Sequence, residues 1–215
     1  MAEERFHIGN AAGFATDRVD AGAPVVRALI DAGAPAALFY ETLAERTLAY
    51  AQRNKLRDAD KGYTPDLERF LAPVLVDCVV HEIPILGNFG AANPAGAARA
   101  IHRLAQELGI EEIKVAVVEG DDVREGLRSM QVQAWEEEPL FDVGRYDIVA
   151  ANAYLGARPI ADALALGRSR SGLVCAESCL SAPAATSSVH SPRSPAPTSR
   201  HSSSRRWLAL KKSWG

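Results

Sequence analysis

The sequence predicts an α/β protein in which parallel strands alternate with helices. Apolar runs of strand length recur along the first 167 residues, and amphipathic stretches with a helical period separate them. Strands joined by helices require right-handed crossovers, so the strands should be parallel and covered by helices on their faces. The expected architecture is therefore a three-layer, Rossmann-like sheet, incomplete because the pattern stops after five strands.

Each expected strand is a short apolar run bounded by turn-forming residues. The clearest is "IKVAVVEG", and the others are "RFHIGN", "AALFYE", "IPILGN" and "YDIVAANAY". These runs predict parallel strands near residues 5–9, 36–40, 83–87, 113–118 and 147–151.

Helices are expected between these strands, with glycine and proline near their ends. "APVVRALIDAG" ends at Gly33, a typical C-cap, and "TLAERTLAYAQRNKLRD" is a long amphipathic helix. Thr64 is expected to be the N-cap of a helix that has proline at its first position and runs to about His81. Further helices should begin at Pro94 and Asp122, and "ARPIADALALG" should form the last.

The composition of the chain changes near Gly167. Before this point there are 16 Lys and Arg, 26 Asp and Glu and one serine, whereas the last 48 residues hold 8 basic residues, one acid and 13 serines. A segment dense in Ser, Pro and Arg cannot bury a core. Residues 1–167 should therefore form an incomplete α/β domain, and residues 168–215 a disordered, low-complexity tail. This tail is either a basic segment attracted to acidic partners or the product of a shifted reading frame.

Several classes of protein are disfavoured by the sequence. It has no run of 18 apolar residues, so no membrane span is expected, and its acidic start is not a signal peptide. Three cysteines do not make a disulfide framework, and a cytoplasmic location is the default. We expect a small-molecule ligand, no nucleic-acid partner and no membrane partner, and we leave homo-oligomerisation open.

Polar residues follow each of the predicted strands. Because the carboxyl ends of parallel strands share one edge, and ligands bind there, these residues should line one site. Neighbouring glycines let the backbone approach a bound group, and helix starts at Pro94 and Asp122 would favour an anion. The polar residues concerned are Asn10, Glu41, Asn88, Asn93, Glu119, Asp121, Asp122 and Asn152.

The same residues also have an ordinary structural interpretation, because Asn and Asp after a strand are common caps and turn formers. For Asn93, directly before a proline, capping is favoured over ligand contact. Asp121 and Asp122 are balanced between the two roles. Small neighbours leave space around Asn88 and Asn152, which favours the site.

Other kinds of site are less well supported. Glu41 is placed like the acid that binds ribose in dinucleotide folds, but the turn from Gly9 to Gly13 lacks the three-glycine fingerprint. A nucleotide-dependent oxidoreductase therefore stays an alternative. The sequence has neither a P-loop nor the Gly-x-Ser-x-Gly motif of serine hydrolases. The acids after the fourth strand could suit Mg²⁺, but we predict no metal site and leave the cofactor unknown.

Five blocks of sequence resemble the acyclic terpene utilisation (AtuA-type) family. They are "GNAAGFATDRVDA", "YETLAERTLAYAQRNKLRDADKGY", "NFGAANPAGAARAI", "KVAVVEGDDV" and "ANAYLGARPIADALALG", and their order and spacing match over about residues 6–167. The resemblance implies a bacterial cytoplasmic protein that takes part in the breakdown of acyclic isoprenoids such as citronellol and geraniol. In the family a further strand follows "ALALG", and "RSRSGLVCAESC" does not resemble it, so the domain is expected to be truncated.

The polar edge and the family blocks together define the expected site. Glu41, Glu119 and Asp121 are the candidates for proton transfer. Substrate contacts are expected at Asn10, Gly13, Asp17, Arg18, Asn88, Gly90, Asn93, Asp122, Asn152 and Tyr154. The leading hypothesis is an enzyme or accessory protein that acts on a small isoprenoid acid or its coenzyme A ester. The alternative from the same resemblance is a non-catalytic binding or assembly subunit of that pathway.

Overall fold

The computed structural model describes residues 5–33, 35–129, 147–166 and 173–177, and it confirms the α/β class. These residues form one five-stranded sheet with the order β1-β2-β3-β5-β4, and every neighbouring pair is parallel. The carboxyl ends of the strands therefore share one edge. The strands are β1 (His7–Gly13), β2 (Ala36–Glu41), β3 (Ile85–Gly87), β4 (Lys114–Val118) and β5 (Leu173–Glu177).

Helices connect the strands, as expected for parallel crossovers. None of the described helices is both long and apolar enough to cross a membrane. The helices are α1 (Gly22–Ala32), α2 (Glu45–Arg57), α3 (Leu67–Leu71), α4 (Leu75–Val80), α5 (Pro94–Glu107) and α6 (Arg158–Leu166), with a single 3₁₀ turn at Leu127–Ser129.

Four of the five predicted strands are confirmed, and the fifth is wrong. Residues 147–151 form no strand, and their buried residue Ala151 packs instead on Leu127, with Val123 and Ile148 alongside. An apolar run shows that a segment is buried, but it does not show whether a sheet or a loop covers it.

The strand that completes the sheet lies beyond the compositional change, in "GLVCAE". β5 pairs with β3 on one side and with β4 on the other. The expectation that this stretch adds no strand is therefore wrong, and the sheet includes five residues of the segment assigned to the tail. The assignment of residues 168–172 and 178–215 to a disordered tail stays a prediction, because they lie outside the described residues.

The helix expected from Thr64 to His81 is broken into α3 and α4. Pro73 has no N–H, and its ring clashes with the carbonyl four residues earlier, so a helix cannot continue through it. The last bond of α3 runs from the Ala72 N–H to the Glu68 carbonyl. Thr64 is also not a side-chain cap, because α3 begins only at Leu67 and the Thr64 hydroxyl has a different partner.

An aromatic cluster fixes the ends of β2 and β3. Tyr40 is fully buried, and its ring centroid lies 5.5 Å from that of Phe70 and 5.3 Å from that of Phe89. The Tyr40 hydroxyl donates a hydrogen bond to the Phe70 carbonyl at 3.2 Å. Glu41 follows Tyr40 directly and Asn88 precedes Phe89, so this packing places both polar residues at the edge of the sheet.

α2 covers the loop that follows β3. Leu48 and Ala51 of α2 form a small buried cluster with Leu43 and with Ala91 of that loop. The ammonium of Lys55 donates to the Ala92 carbonyl at 2.7 Å. α2 therefore lies at the carboxyl edge of the sheet, where the candidate site was expected.

Candidate functional site

Glu41 and Asn88 are brought together because β2 and β3 are neighbours in the sheet. Glu41 Oε1 accepts a hydrogen bond from Asn88 Nδ2 at 2.6 Å and another from the Leu43 N–H at 3.0 Å. Asn88 Oδ1 accepts the Thr42 N–H at 2.7 Å and the Thr42 hydroxyl at 3.1 Å. Thr42 thus orients the Asn88 amide so that its NH₂ faces the carboxylate.

Thr64 extends this network to a third segment of the chain. Its hydroxyl lies 3.3 Å from that of Thr42, and its N–H donates to the Phe89 carbonyl at 2.8 Å. Thr42, Thr64 and Asn88 are all buried. Neither threonine was among the expected site residues, and the position of Thr42 directly after Glu41 is the one sequence signal that could have indicated it.

The environment of Glu41 changes its proton affinity. Burial raises the pKa of this carboxyl above its ordinary value of 4.5, while the hydrogen bonds from Asn88 and from the Leu43 N–H act in the opposite direction. The side chain is only half-buried, so it lies between the interior and the edge of the sheet. A carboxyl with a raised pKa at such an edge is a candidate for proton transfer.

Asp121 and Asn152 form a second acid–amide pair, beyond the end of β4. Asn152 Nδ2 donates to Asp121 Oδ2 at 2.7 Å, and the Ala153 N–H donates to the Asp121 carbonyl at 2.7 Å. Asp122 and Asn152 make an isolated antiparallel bridge. Asp121 is only 2% exposed, so the pair is largely part of the interior.

Arg124 connects the segment that contains Asp121 and Asp122 to α2. Arg124 binds Asp122 through two nitrogens, with Nε 2.9 Å from Oδ1 and Nη2 2.7 Å from Oδ2. With the Gln52 amide oriented so that its oxygen faces the guanidinium, this oxygen accepts from Arg124 at 2.6 and 2.8 Å. Gln52 is a buried residue of α2, and no pattern in the sequence connects it with Arg124.

The charge of Asp122 is stabilised by the same contacts. Partial burial acts to raise its pKa, but the hydrogen bonds and charge of Arg124, together with the charge of Lys55, outweigh this effect and lower the pKa. A helix was expected to begin at Asp122, but the segment instead turns back towards Asn152. Of the two helix starts expected at the site, at Pro94 and Asp122, the one at Pro94 is confirmed as the start of α5.

Of the first four expected contacts, Asn10 and Gly13 lie within β1, and Asp17 and Arg18 lie in the segment that follows it. Asn10 is exposed, and its side chain accepts the Ala12 N–H at 3.3 Å beside an irregularity in β1. The Asp17 carboxylate accepts the N–H groups of Gly13 and Arg18, both at 2.8 Å, and these bonds lower its pKa, the Gly13 bond most. The Arg18 side chain pairs with Asp20. Gly13 is the register partner of Glu41 in the parallel ladder between β1 and β2, so this end of β1 lies beside Glu41.

Asn93 is a helix cap, and the preference for capping is confirmed. Its Oδ1 accepts the Gly96 N–H at 3.0 Å, while Nδ2 donates to the carbonyls of Ala59 and Lys61 at 2.9 and 2.8 Å. The Asn93 N–H donates to the Gly90 carbonyl at 2.7 Å, so the predicted site residue Gly90 belongs to the same buried loop.

The remaining expected residues lie near the end of β4. Glu119 is exposed, and Tyr154 is half-buried two residues after Asn152. The described residues contain no group of three or more His, Cys, Asp or Glu side chains that could hold a metal ion. Beyond the strand ends, the described residues therefore contain two acid–amide pairs, Glu41 with Asn88 and Asp121 with Asn152.

Comparison with known proteins identifies the family. The family model described as acyclic terpene utilisation family protein AtuA matches residues 6–169, which include β1 to β4 and all of the described helices. No curated protein and no solved structure matches the chain. Because the matched region is well over half of the chain and contains both acid–amide pairs, the chain belongs to the AtuA family of acyclic terpene utilisation proteins.

Proposed function

We propose that this protein binds a small isoprenoid acid, or the coenzyme A ester of such an acid, at the carboxyl edge of its sheet. In this proposal it works in the cytoplasm, and Glu41 is the proton-transfer residue. The family supports a role in acyclic terpene utilisation. The observation that carries the proposal is the Glu41–Asn88 pair, a half-buried carboxyl with a raised pKa held by a buried amide.

The geometry of the pair supports a role in proton transfer. Among the described residues, both donors to Glu41 bind the same oxygen, Oε1. The other carboxylate oxygen, Oε2, is the one that a ligand would contact. Asn88 and Leu43 hold the carboxyl in place, which reduces the entropy that would be lost when a substrate binds.

The chemistry follows from the protonation state of Glu41. As a carboxylate it can take a proton from the carbon beside a carbonyl group, and the carboxylic acid so formed can return that proton to the product. A raised pKa brings the two forms closer in free energy at neutral pH. The second hydrogen of the Asn152 NH₂ group can donate to a carbonyl or carboxylate oxygen of the ligand.

The test uses the full chain and two variants. Geranic acid, citronellic acid, their coenzyme A esters, NAD and NADP are titrated by calorimetry, and any compound that binds is then assayed for turnover. Glu41→Gln should retain ligand binding and lose turnover by at least about 100-fold, the range for a general acid or base. Glu68→Gln, an exposed acid on α3, is the matched control and should leave both unchanged.

Each outcome separates the candidate functions. Turnover that depends on Glu41 supports the proposal. Binding without turnover points to the non-catalytic subunit, and binding of NAD or NADP alone points to an oxidoreductase. If none of these compounds binds, the proposal is wrong.

A further inference from the structure

A positively charged cleft lies beside α5, away from both acid–amide pairs. Its volume is about 310 Å³, and none of the residues that line it belongs to either pair. The lining residues are Asp60, Lys61, Tyr63, Gly96, Arg99 and Arg103.

The charges in this cleft are unbalanced. It contains three basic side chains and a single acid, Asp60, whose carboxylate lies 3.4 Å from the Arg99 guanidinium. Arg99 and Arg103 are one helical turn apart on α5, where like charges repel each other. Residues 1–167 as a whole are acidic, so this concentration of positive charge is a local feature. A bound anion would relieve the repulsion.

The wall of the cleft is held in place by the loop after β3. The Asn93 amide binds the carbonyls of Ala59 and Lys61, and the Ala92 N–H donates to the Gly62 carbonyl at 2.8 Å. Gly62 has a φ of 101°, which favours glycine, and a Cβ at this position would lie 2.7 Å from Lys55 Cβ. The cleft is therefore preformed rather than dependent on a ligand for its shape.

The segment that forms this wall is also connected to the Glu41 site. Thr64 follows Lys61 by three residues, so their Cα atoms are at most about 11 Å apart. Thr64 contacts Thr42, and Thr42 in turn binds Asn88. The segment that forms the wall of the cleft is therefore also in contact with the network that holds Glu41.

We propose that this cleft binds the phosphate groups of a nucleotide carrier whose acyl end reaches Glu41. The substrate would then be an activated ester of the coenzyme A type and not the free acid. A phosphomonoester carries close to two negative charges at neutral pH, which matches the excess of two positive charges in the cleft. Arginine suits phosphate because its planar fork can donate two hydrogen bonds at once. The exposed part of the Tyr63 ring offers an apolar surface to the base.

The identity of the acyl end rests on the proposed function, but the cleft can be tested without it. The probe is adenosine 3′,5′-bisphosphate, which has the adenine, the 3′-phosphate and the first of the two 5′-phosphates of coenzyme A and lacks the pantetheine arm. Calorimetry on the full chain should show binding that weakens as salt is added, because ion pairs at an exposed cleft are screened. Adenosine alone should not bind.

Two further probes identify the source of the phosphate. Adenosine 2′,5′-bisphosphate has the phosphate arrangement of NADP, and tighter binding of this compound would overturn the carrier ester. If inorganic phosphate binds as tightly as the nucleotide, the cleft is a simple anion site, which also overturns the proposal. If none of the probes binds at low salt, the cleft proposal is also wrong.

Variants link the binding to the cleft. The double variant Arg99→Gln/Arg103→Gln should weaken the 3′,5′-bisphosphate by about tenfold or more, since each charge-assisted hydrogen bond contributes at least this factor. Arg27→Gln, an exposed arginine on α1, is the control and should change nothing. Both arginines of the cleft are exposed, and thermal unfolding checks that the variant is folded. Equal affinity for the folded double variant and the wild type would overturn the assignment.

The two proposals can fail separately. If geranic acid binds and is turned over in a reaction that depends on Glu41, while the bisphosphate does not bind, the cleft proposal is wrong and the proposed function stands. If binding of the bisphosphate depends on Arg99 and Arg103 but Glu41→Gln changes no reaction, the cleft proposal stands and the proposed function is wrong.

Discussion

The Glu41 carboxylate and the Asn88 amide meet across the ends of two adjacent strands, with Oε1 and Nδ2 2.6 Å apart. Asn88 is 2% exposed, whereas Glu41 is half-buried, so the amide belongs to the interior and the acid to the edge of the sheet. The two residues therefore have different roles. We therefore propose that Asn88 positions the acid and that Glu41 contacts the ligand, while the substrate contact expected of Asn88 stays a prediction.

Replacing Asn88 with alanine should reduce stability as well as activity. The change leaves the buried Thr42 N–H without its acceptor, which costs about 1–3 kcal/mol. From the sequence, little loss of stability would be expected for this variant. Urea denaturation measures the effect, with Asn54→Ala, an exposed position on α2, as the control. A wild-type midpoint for Asn88→Ala would contradict the importance of this hydrogen bond.

Replacing Asn88 with aspartate should raise the proton affinity of the site. The new carboxylate keeps an acceptor for Thr42 and places a second acid against Glu41 Oε1. Two carboxylates in contact cannot both ionise easily, so the pair should take up a proton at higher pH than Glu41 does in the wild type. NMR titration of the side-chain carboxyl signals measures this shift. Titration of both groups as independent, ordinary acids would contradict it.

Glu41→Gln should alter the dependence of stability on pH. The pKa of Glu41 is raised on folding. The stability that this residue contributes is therefore fully present below its unfolded pKa of 4.5 and is lost as pH rises through its folded pKa. Glutamine has no such loss and can still accept the hydrogen bonds from Leu43 and Asn88. The variant should therefore gain stability relative to the wild type as pH rises above 4.5. Denaturation at a series of pH values tests this, and a difference that does not vary with pH would argue against a raised pKa.

Gln52 and Arg124 should be energetically coupled. Arg124 connects the segment after β4 to α2 through the Gln52 amide, and Gln52 is 4% exposed. A double-mutant cycle with Gln52→Met and Arg124→Met should give an interaction energy of about 1 kcal/mol, within the range for hydrogen-bonded neighbours. The same cycle with Arg53, an exposed neighbour on α2, in place of Gln52 should show no coupling. Additive effects of the first pair would mean that α2 is not connected in this way.

Gly9→Ala should destabilise the contact between β1 and α1. A Cβ at Gly9 would collide with the Val25 side chain and lie 2.9 Å from Leu29 Cδ1. Overpacking of this kind costs about 1–3 kcal/mol. Adding Val25→Ala creates space and should recover part of the loss, as thermal denaturation can measure. If Val25→Ala adds its own cost without any recovery, the collision is not the cause.

Much of the fold could be predicted because it depends on local pattern. The first four strands are apolar runs next to helical patterns, and their parallel order follows from the crossovers. The fifth strand was misplaced because residues 147–151 and residues 173–177 are both short apolar runs. Only tertiary contacts decide between them: the Leu127 segment covers Ala151, while β5 pairs with two strands. The polar surroundings of β5 also favoured a tail over a strand.

The candidate site could be predicted only in part for a similar reason. Glu41 and Asn88 end neighbouring parallel strands, so their approach follows from topology alone. The roles of Thr64, Gln52 and Arg124 depend on how α2 and the turn before α3 pack on the loop after β3, which no local pattern encodes. Thr64 was assigned to a cap because threonine before proline usually is one.

The position of β5 has a consequence for folding during synthesis. β1, β2 and β3 are adjacent in the order in which the ribosome produces them. Among the described strands, β4 pairs only with β5, which is made more than 50 residues later. β4 and α5 therefore cannot complete their packing on the sheet until β5 has been synthesised. Because contacts between distant parts of the chain are slow to form, we expect the half of the sheet that contains β4 to be the last to fold.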